Sequence, residues 1–275
     1  MSTVTITAAD VNKLRTLTGA GMMDCKKALT ETNGDFEAAI DLLRKKGQKV
    51  AANRSDRDAK EGLVIAKSNG TRGVVIVLNC ETDFVAKNED FGKVAETMAT
   101  IALEAKPADL NALLALPYGD SMTVNEKVVE QVGKIGEKIE LSRYEQLENG
   151  KVVAYNHPGN KLACIVAFNK PADDTMAKDV AMQVAAMAPV AVDKDDVDTT
   201  TLERELEIAR EQVRAEGKPE DMVEKIAQGK LNKFYKESTL LNQEFIKDSK
   251  KSIRQYITES DKELTVTGFK RISLS

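Results

Sequence analysis

A chain of 275 residues, 42% hydrophobic and 31% charged, is long enough for two or three domains with packed cores and a solvated surface. Its formal net charge of −4 excludes a generic nucleic-acid binder held by an overall basic surface. No apolar run reaches the ~20 residues that span a bilayer, so a membrane partner is not expected.

The opening Met1-Ser-Thr-Val-Thr-Ile-Thr7 has neither the basic nor the apolar region of a secretory leader. Three Cys without a CxxC pair make no disulfide framework, which fits a reduced, cytoplasmic setting.

Residues 1–47 read as a compact three-helix domain. Thr7 is placed to cap the first helix, with Val11, Leu14 and Leu17 forming one apolar stripe. Gly19-Ala-Gly21 breaks it. Asp24 is read as the cap of a second helix carrying Cys25, Ala28 and Leu29. Asn33-Gly34 makes a turn, Asp35 begins a third helix with Phe36, Ala39, Ile40 and Leu43, and Gly47 is expected to end it. Arg44-Lys45-Lys46 then complements the carbonyl end of that helix. Residues 48–60 are polar and read as a linker with a helical tendency through Val50-Ala-Ala52.

Two similar α+β halves follow, core subdomain 1 over 61–147 and core subdomain 2 over 148–196 with 233–275. In the first, apolar runs at 62–67 and 73–79 join across Asn69-Gly70, a hairpin signal. A helix over 89–105 carries Phe91, Val94, Met98 and Ile101 on one face. In the second, runs at 151–156 and 161–168 join across His157-Pro-Gly-Asn160, and a helix over 174–188 carries Met176, Val180, Val184 and Met187. Each half receives a late strand, Lys138–Tyr144 and Leu264–Ile272. Residues 197–232 are a charged insertion: Leu202, Leu206, Ala209 and Val213 make one helical stripe, Met222, Val223, Ile226 and Leu231 another, with Gly217-Lys-Pro219 between them. This predicts a projecting antiparallel coiled-coil hairpin. The expected fold class is α+β.

The halves differ after their second strands. The first inserts Cys80-Glu-Thr-Asp-Phe-Val-Ala86, which sets Phe84 in a polar connection; the second has Asn169-Lys-Pro-Ala-Asp-Asp174, with no aromatic. Such a ring is either tucked into the core or presented to another molecule. Asp83 is either a presented residue or the cap of the following helix.

Chemistry of the chain's own finds little support. There is one His, no GxxxxGK[ST] phosphate loop, and no third glycine after Gly19-Ala-Gly21. Neither a cofactor nor nucleotide binding is expected, and the scattered cysteines lack metal-ligand spacing. A nucleophile made of Cys80 or Cys164 with His157 is formally available, but Cys164 lies in Leu162-Ala-Cys-Ile-Val-Ala167, which reads as a buried strand.

Leu14-Arg15 with Thr18-Gly-Ala-Gly-Met-Met-Asp-Cys-Lys-Lys-Ala-Leu29 and Asn33-Gly-Asp35 closely resembles the N-terminal signature of the bacterial elongation factor Ts family. Asn79-Cys-Glu-Thr-Asp-Phe-Val-Ala-Lys-Asn88 resembles its second signature. Gly217-Lys-Pro219, Gly229-Lys-Leu-Asn-Lys-Phe234 and Leu241-Asn-Gln-Glu-Phe245 extend the likeness over nearly the whole chain. The resemblance implies an N-terminal unit like a ubiquitin-associated domain, a core of two subdomains and a coiled-coil hairpin. It implies a guanine nucleotide exchange factor, without a catalytic site of its own, whose partner is the GTPase elongation factor Tu and which touches no nucleic acid directly. It also implies that Thr82, Asp83, Phe84 and Val85 form a wedge near the partner's Mg2+ and phosphate site, and that Met22, Met23, Lys26, His157 and Ile246 dock the partner. Read from the residues, Met22 and Met23 are alternatively a helix-start staple, and His157 a plain turn residue. Two departures stand out. Lys247 occupies a position where some members carry an apolar contact residue, and the chain ends soon after its last strand, without the helical extension of some members.

Overall fold

A computed structural model describes residues 5–274; residues 1–4, read above for a leader, and residue 275 lie outside the described residues. The fold is mixed helix and sheet, of the α+β class. The chain forms two compact units: one takes in the residues up to Ile65 and Ile76–Tyr144, the other Ala66–Val75 and Glu145–Ser273.

The first unit opens with α1 (Ala8–Thr18), α2 (Met22–Glu31) and α3 (Phe36–Asn53). Thr7 caps α1 through a reciprocal capping box with Asp10, and Gly19 closes it in the left-handed region. The cap of α2 is Gly21, not Asp24, which sits within the first turn and complements the helix dipole there. Asp35 caps α3. Val11, Leu14, Cys25, Ala28, Leu29 and Ala39 form the small core between these helices. Leu17, read as part of that stripe, is instead 61% exposed at the end of α1.

Gly47 does not end α3. The helix runs on to Asn53, and Gly47 is buried within it. The physical reason is a helix crossing absent from the sequence reading. After β1 (Glu61–Ser68), β2 (Gly70–Cys80), α4 (Asp83–Ala86), α5 (Glu89–Ala105) and α6 (Leu110–Ala115) comes α7 (Val124–Ile135), and α3 packs on it. The two helices approach so closely that a Cβ on Gly133 would lie 2.9 Å from the Gly47 Cα. Gly47 is therefore there for close approach, not for a left-handed stop.

β3 (Glu140–Asn156) is a single strand of 17 residues. It unites the expected late strand of the first half with the first strand of the second, so the expected boundary at 147/148 falls inside one element. β4 (Leu162–Phe168), α8 (Asp174–Met187), α9 (Thr199–Ala215), α10 (Glu220–Ser238), the short β5 (Glu244–Phe245) and β6 (Asp248–Ser252), α11 (Ile253–Thr258) and β7 (Val266–Ser273) complete the order. The main sheet runs β1-β2-β3-β4-β7. β4 is antiparallel to β3, with Val153 opposite Val166, and to β7, with Val166 opposite Phe269. In the second unit α8 lays Met176, Val180 and Val184 against Val166 and Phe168, while Met187, at the helix end, is 46% exposed. α9 and α10 are joined by Arg210–Glu224 and Arg214–Glu220 pairs, each with contacts of 2.9 Å, beside buried Ala209, Val213, Val223 and Ala227. Met222, placed in the stripe by periodicity, is exposed.

Two glycine substitutions should move stability in opposite directions. Gly133→Val drives its side chain into the α3 backbone, so urea unfolding should show a loss of about 1–3 kcal/mol, the usual cost of overpacking. On α5, a Cβ at Gly92 meets nothing, so Gly92→Ala should gain about 0.4–1 kcal/mol by lowering unfolded-state entropy. Equal effects of the two would rule out the close crossing.

Candidate partner-docking site

β2 ends at Cys80, whose buried thiol donates to the Thr82 carbonyl at 3.1 Å. Thr82 is extended (φ −122°, ψ 152°) and its hydroxyl accepts from the Val85 N–H, which caps α4. Asn88 caps α5, accepting from Asp90 and Phe91 N–H groups at 2.9 and 3.2 Å. Between the two caps lies one helical turn, Asp83–Ala86. Ala86 is its inward residue. Phe84 points away from the core and is 81% exposed, the most exposed of the large apolar side chains among the described residues.

Asp83 caps neither helix. Its carboxylate takes an ion pair from Lys87 at 2.6 Å, one turn along, and that hydrogen bond holds the Lys87 ammonium above its ordinary value. The capping reading of Asp83 is thereby corrected: Thr82 and Asn88 do that work. Val85 is half-buried.

The turn hangs from two glutamates, Glu137 and Glu81, each of which accepts from backbone N–H groups at or beside the other. Glu137 Oε2 accepts from the Glu81 and Thr82 N–H groups at 3.1 and 3.0 Å, and its Oε1 accepts from the Thr82 hydroxyl at 2.7 Å. In return, Glu81 Oε1 accepts from the Lys138 N–H at 2.6 Å. Gly136 sets this up. In the left-handed region (φ 81°) it closes α7, and its N–H returns to the Val132 carbonyl. The chain then reverses and brings Glu137 and Lys138 to the end of β2. Arg54, which ends α3, reaches Glu81 at 2.8 Å, and Arg57 reaches it at 3.4 Å. The Lys138 ammonium donates to the carbonyls of Ser55 and Arg57 at 2.9 and 3.0 Å. The segment read as a linker is fastened where it passes the loop. The Lys138 N–H bond, with the two arginines, holds the Glu81 carboxyl below its usual value against the opposing effect of burial. A cleft of about 380 Å³ lies beside Phe84, walled by Thr82, Val85, Gln131, Lys134 and Glu137.

Met22 and Met23 are 52% and 74% exposed at the start of α2, and Lys26 is exposed one turn on. Exposed Leu17 precedes them across the Gly19–Gly21 turn; periodicity had assigned it to the core. These residues belong to the same unit as Phe84; His157 and Ile246 belong to the other. His157 is exposed in the β3–β4 turn, its Nδ1 3.1 Å from the Tyr155 hydroxyl. Ile246 is 47% exposed at the tip between β5 and β6. Its N–H donates to Gln183 Oε1 at 2.9 Å, while the buried Gln183 amide donates to Gln243 and to the Glu244 carbonyl. Lys247 is committed elsewhere: its ammonium pairs with the largely buried Asp179 at 2.7 Å, which also accepts from the Tyr256 hydroxyl. Burial, then that hydrogen bond, pushes the Tyr256 phenol up to about 12.

The nucleophile reading fails for Cys164. Its thiol is buried, donates to the Ala181 carbonyl at 3.3 Å, and burial pushes its pKa up to about 12. It stays protonated at neutral pH, and the thiolate is the reactive form. Among the described residues no group of three or more His, Cys, Asp and Glu is placed to share a metal ion, and no helix is long and apolar enough to cross a membrane.

The family model described as elongation factor TS matches residues 81–275 of this chain. The elongation factor Ts of Cytophaga hutchinsonii is 55% identical over 276 residues, covering 98% of this chain and 99% of that protein. That of Flavobacterium psychrophilum is 55% identical over 274 residues, with 98% and 99% covered. That of Porphyromonas gingivalis is 50% identical over 270 residues, with 98% of each covered.

The lowered Glu81 value carries a pH signature. A carboxylate depressed in the folded state holds its grip above its unfolded value and loses it as pH falls through the folded one. In a titration followed by NMR, the Lys138 amide resonance should therefore move with a midpoint below the ordinary glutamate range. A midpoint at or above that range would mean that the Glu81–Lys138 hydrogen bond does not form.

Proposed function

The chain belongs to the elongation factor Ts family, a family of translation elongation factors, and from that premise we propose that it is the guanine nucleotide exchange factor of elongation factor Tu. It acts in the cytoplasm on the GDP-bound GTPase and speeds GDP release. The observation that carries this reading is the exposed ring of Phe84 on a turn capped by Thr82 and clamped at its base.

Bound GDP is held through its phosphates and through Mg2+, which takes oxygen ligands from phosphate and protein in a strict octahedral geometry. A factor that binds the nucleotide-free state better than the nucleotide-bound state lowers GDP affinity, and by reciprocity GDP lowers the factor's affinity equally. Phe84 supplies that preference. Its ring is exposed in the free protein and inserts between packed elements of the partner, which displaces the groups that order Mg2+. Asp83 stands next to it as a carboxylate already neutralised by Lys87, and Thr82 and Val85 flank the turn. Burying one Phe side chain is worth about 1.5–3 kcal/mol, about one to two decades in an equilibrium. The remainder comes from docking: Met22, Met23 and Lys26 on α2 give an adaptable apolar and basic contact, and His157 and Ile246 give a second.

Phe84→Ala should slow the maximal release of a fluorescent GDP from elongation factor Tu by about tenfold or more, the decades set by ring burial, while the two proteins still form a complex. Wild-type release rates in the variant would sink the wedge. A stable complex in which even the wild-type chain leaves GDP release unchanged would make this a holding factor instead.

A further inference from the structure

Glu137 lies outside the Cys80–Ala86 stretch, in the connection between α7 and β3, and serves no core. Its three hydrogen bonds all go to Glu81 and Thr82, the two residues that immediately precede the wedge turn. Both backbone donors converge on Oε2 and the hydroxyl goes to Oε1, so each carboxylate oxygen has a set task. The carboxylate reaches the loop because Gly136 reverses the chain at the end of α7. A four-residue turn has no stability of its own, and an exposed phenylalanine gains by folding back onto any apolar surface. Beside Phe84 there is such a surface, the cleft walled by Val85 and Ile135.

We propose that Glu137 is a positioning residue of the exchange reaction: it fixes the Glu81-Thr82 backbone so that the Phe84 ring stays presented and does not collapse into its own cleft. This rests on the reading of Phe84 as the wedge. Glu137 never touches the partner's nucleotide; it acts through the loop. Glu81 completes the grip from the other side, through the Lys138 N–H, Arg54 and Arg57.

The test is a double-mutant cycle with Phe84 on fluorescent-GDP release from elongation factor Tu, read as maximal rate and half-saturating concentration. Glu137→Ala should lower the maximal rate by about tenfold, the scale of a charged hydrogen-bonding anchor lost, and change the half-saturating concentration by less than about twofold. Glu137→Gln keeps an oxygen for the two amides and an NH2 for the Thr82 hydroxyl, so it should retain at least about half the rate. In a Phe84→Ala background, Glu137→Ala should cost nothing more. Glu137→Asp keeps the charge but withdraws the oxygens by one methylene; it should behave as the Ala variant and keeps the test open if that variant does not fold. The proposal is overturned if Glu137→Ala and Glu137→Asp release GDP like the wild type while Phe84→Ala is slow, or if the losses at Glu137 and Phe84 multiply. If Phe84→Ala is also wild-type, the wedge reading itself has failed and the positioning role falls with it.

Discussion

An aromatic ring held out in water is the constraint around which this protein is arranged. Left to itself, the loop that carries Phe84 would gain by burying it. The structure offsets that tendency by fastening the loop through its backbone. The Thr82 side chain caps the turn that carries Phe84 and that of Asn88 caps α5 after it, Glu137 takes the N–H groups of Glu81 and Thr82, and the Cys80 thiol reaches the Thr82 carbonyl. The ring itself stays exposed. Fixing the main chain while leaving the side chain unpartnered is what a preorganised contact requires, because the ordering entropy is then already spent before binding.

Both sides of the carboxylate grip come from helix ends. Arg54 is the residue that ends α3, and Gly136, which delivers Glu137, ends α7. Those helices cross at Gly47 and Gly133, where neither position tolerates a Cβ comfortably. Gly133 lies less than one turn before the end of α7. Gly47 lies two turns before Arg54, about 10 Å at 1.5 Å per residue. The crossing therefore sets where the Arg54–Glu81 and Glu137–Thr82 contacts fall. The N-terminal helices, with Met22 and Met23 on α2, are connected to the Phe84 turn through packed backbone and not through a loose tether. Physical contiguity of this kind is the ground on which docking at one place can bias geometry at another.

What the sequence disclosed and what it hid divide along physical lines. Caps that act over three residues were legible: Thr7 with Asp10 and Asp35 with Ala38 are local bonds written in local sequence. Phe84 was conspicuous because an aromatic in a polar connection breaks the pattern of its surroundings, but the residues alone left it open whether the ring is tucked in or presented; the structure exposes it. Gly47 was misread because a glycine near the expected end of a helix has two uses, a left-handed stop and a close crossing, and only the partner helix decides between them. That partner, α7, carries half-buried polar residues among its apolar ones and was not distinguished at all. Leu17, Met187 and Met222 follow helical periodicity yet are exposed, because each lies in the first or last turn of its helix, where the apolar stripe outruns the surface it packs on. Glu137 was hidden most thoroughly. Among 44 acidic residues nothing local marks one that bonds backbone groups 56 and 55 positions away. Lys247 looked like the loss of an apolar contact; the structure shows it spent on the buried Asp179, which no spacing rule connects to it.

The two halves sharpen this further. In each, the residues that follow an inner strand are pinned to the segment that precedes a later one. In the first half, Glu81 and Thr82 at the end of β2 are bound to Glu137 and Lys138, just before β3. In the second, Asn169 at the end of β4 exchanges bonds with the Glu263 carbonyl and the Thr265 N–H, and Lys170 pairs with Asp261 and Glu263, just before β7. The anchoring is thus a shared plan, needed wherever a strand end must be held without continuing the sheet ladder. What differs is what the anchor holds. In the second half it closes an ordinary turn leading to Asp173, the cap of α8. In the first it supports an inserted helical turn with a phenylalanine on its outer face. If the pinning existed only to finish the fold, the second half shows that this can be done without an aromatic and without a carboxylate gripping two amides at once. The additional strength at Glu137 is matched to the additional demand of Phe84, and the ring and its anchor are best understood as one device.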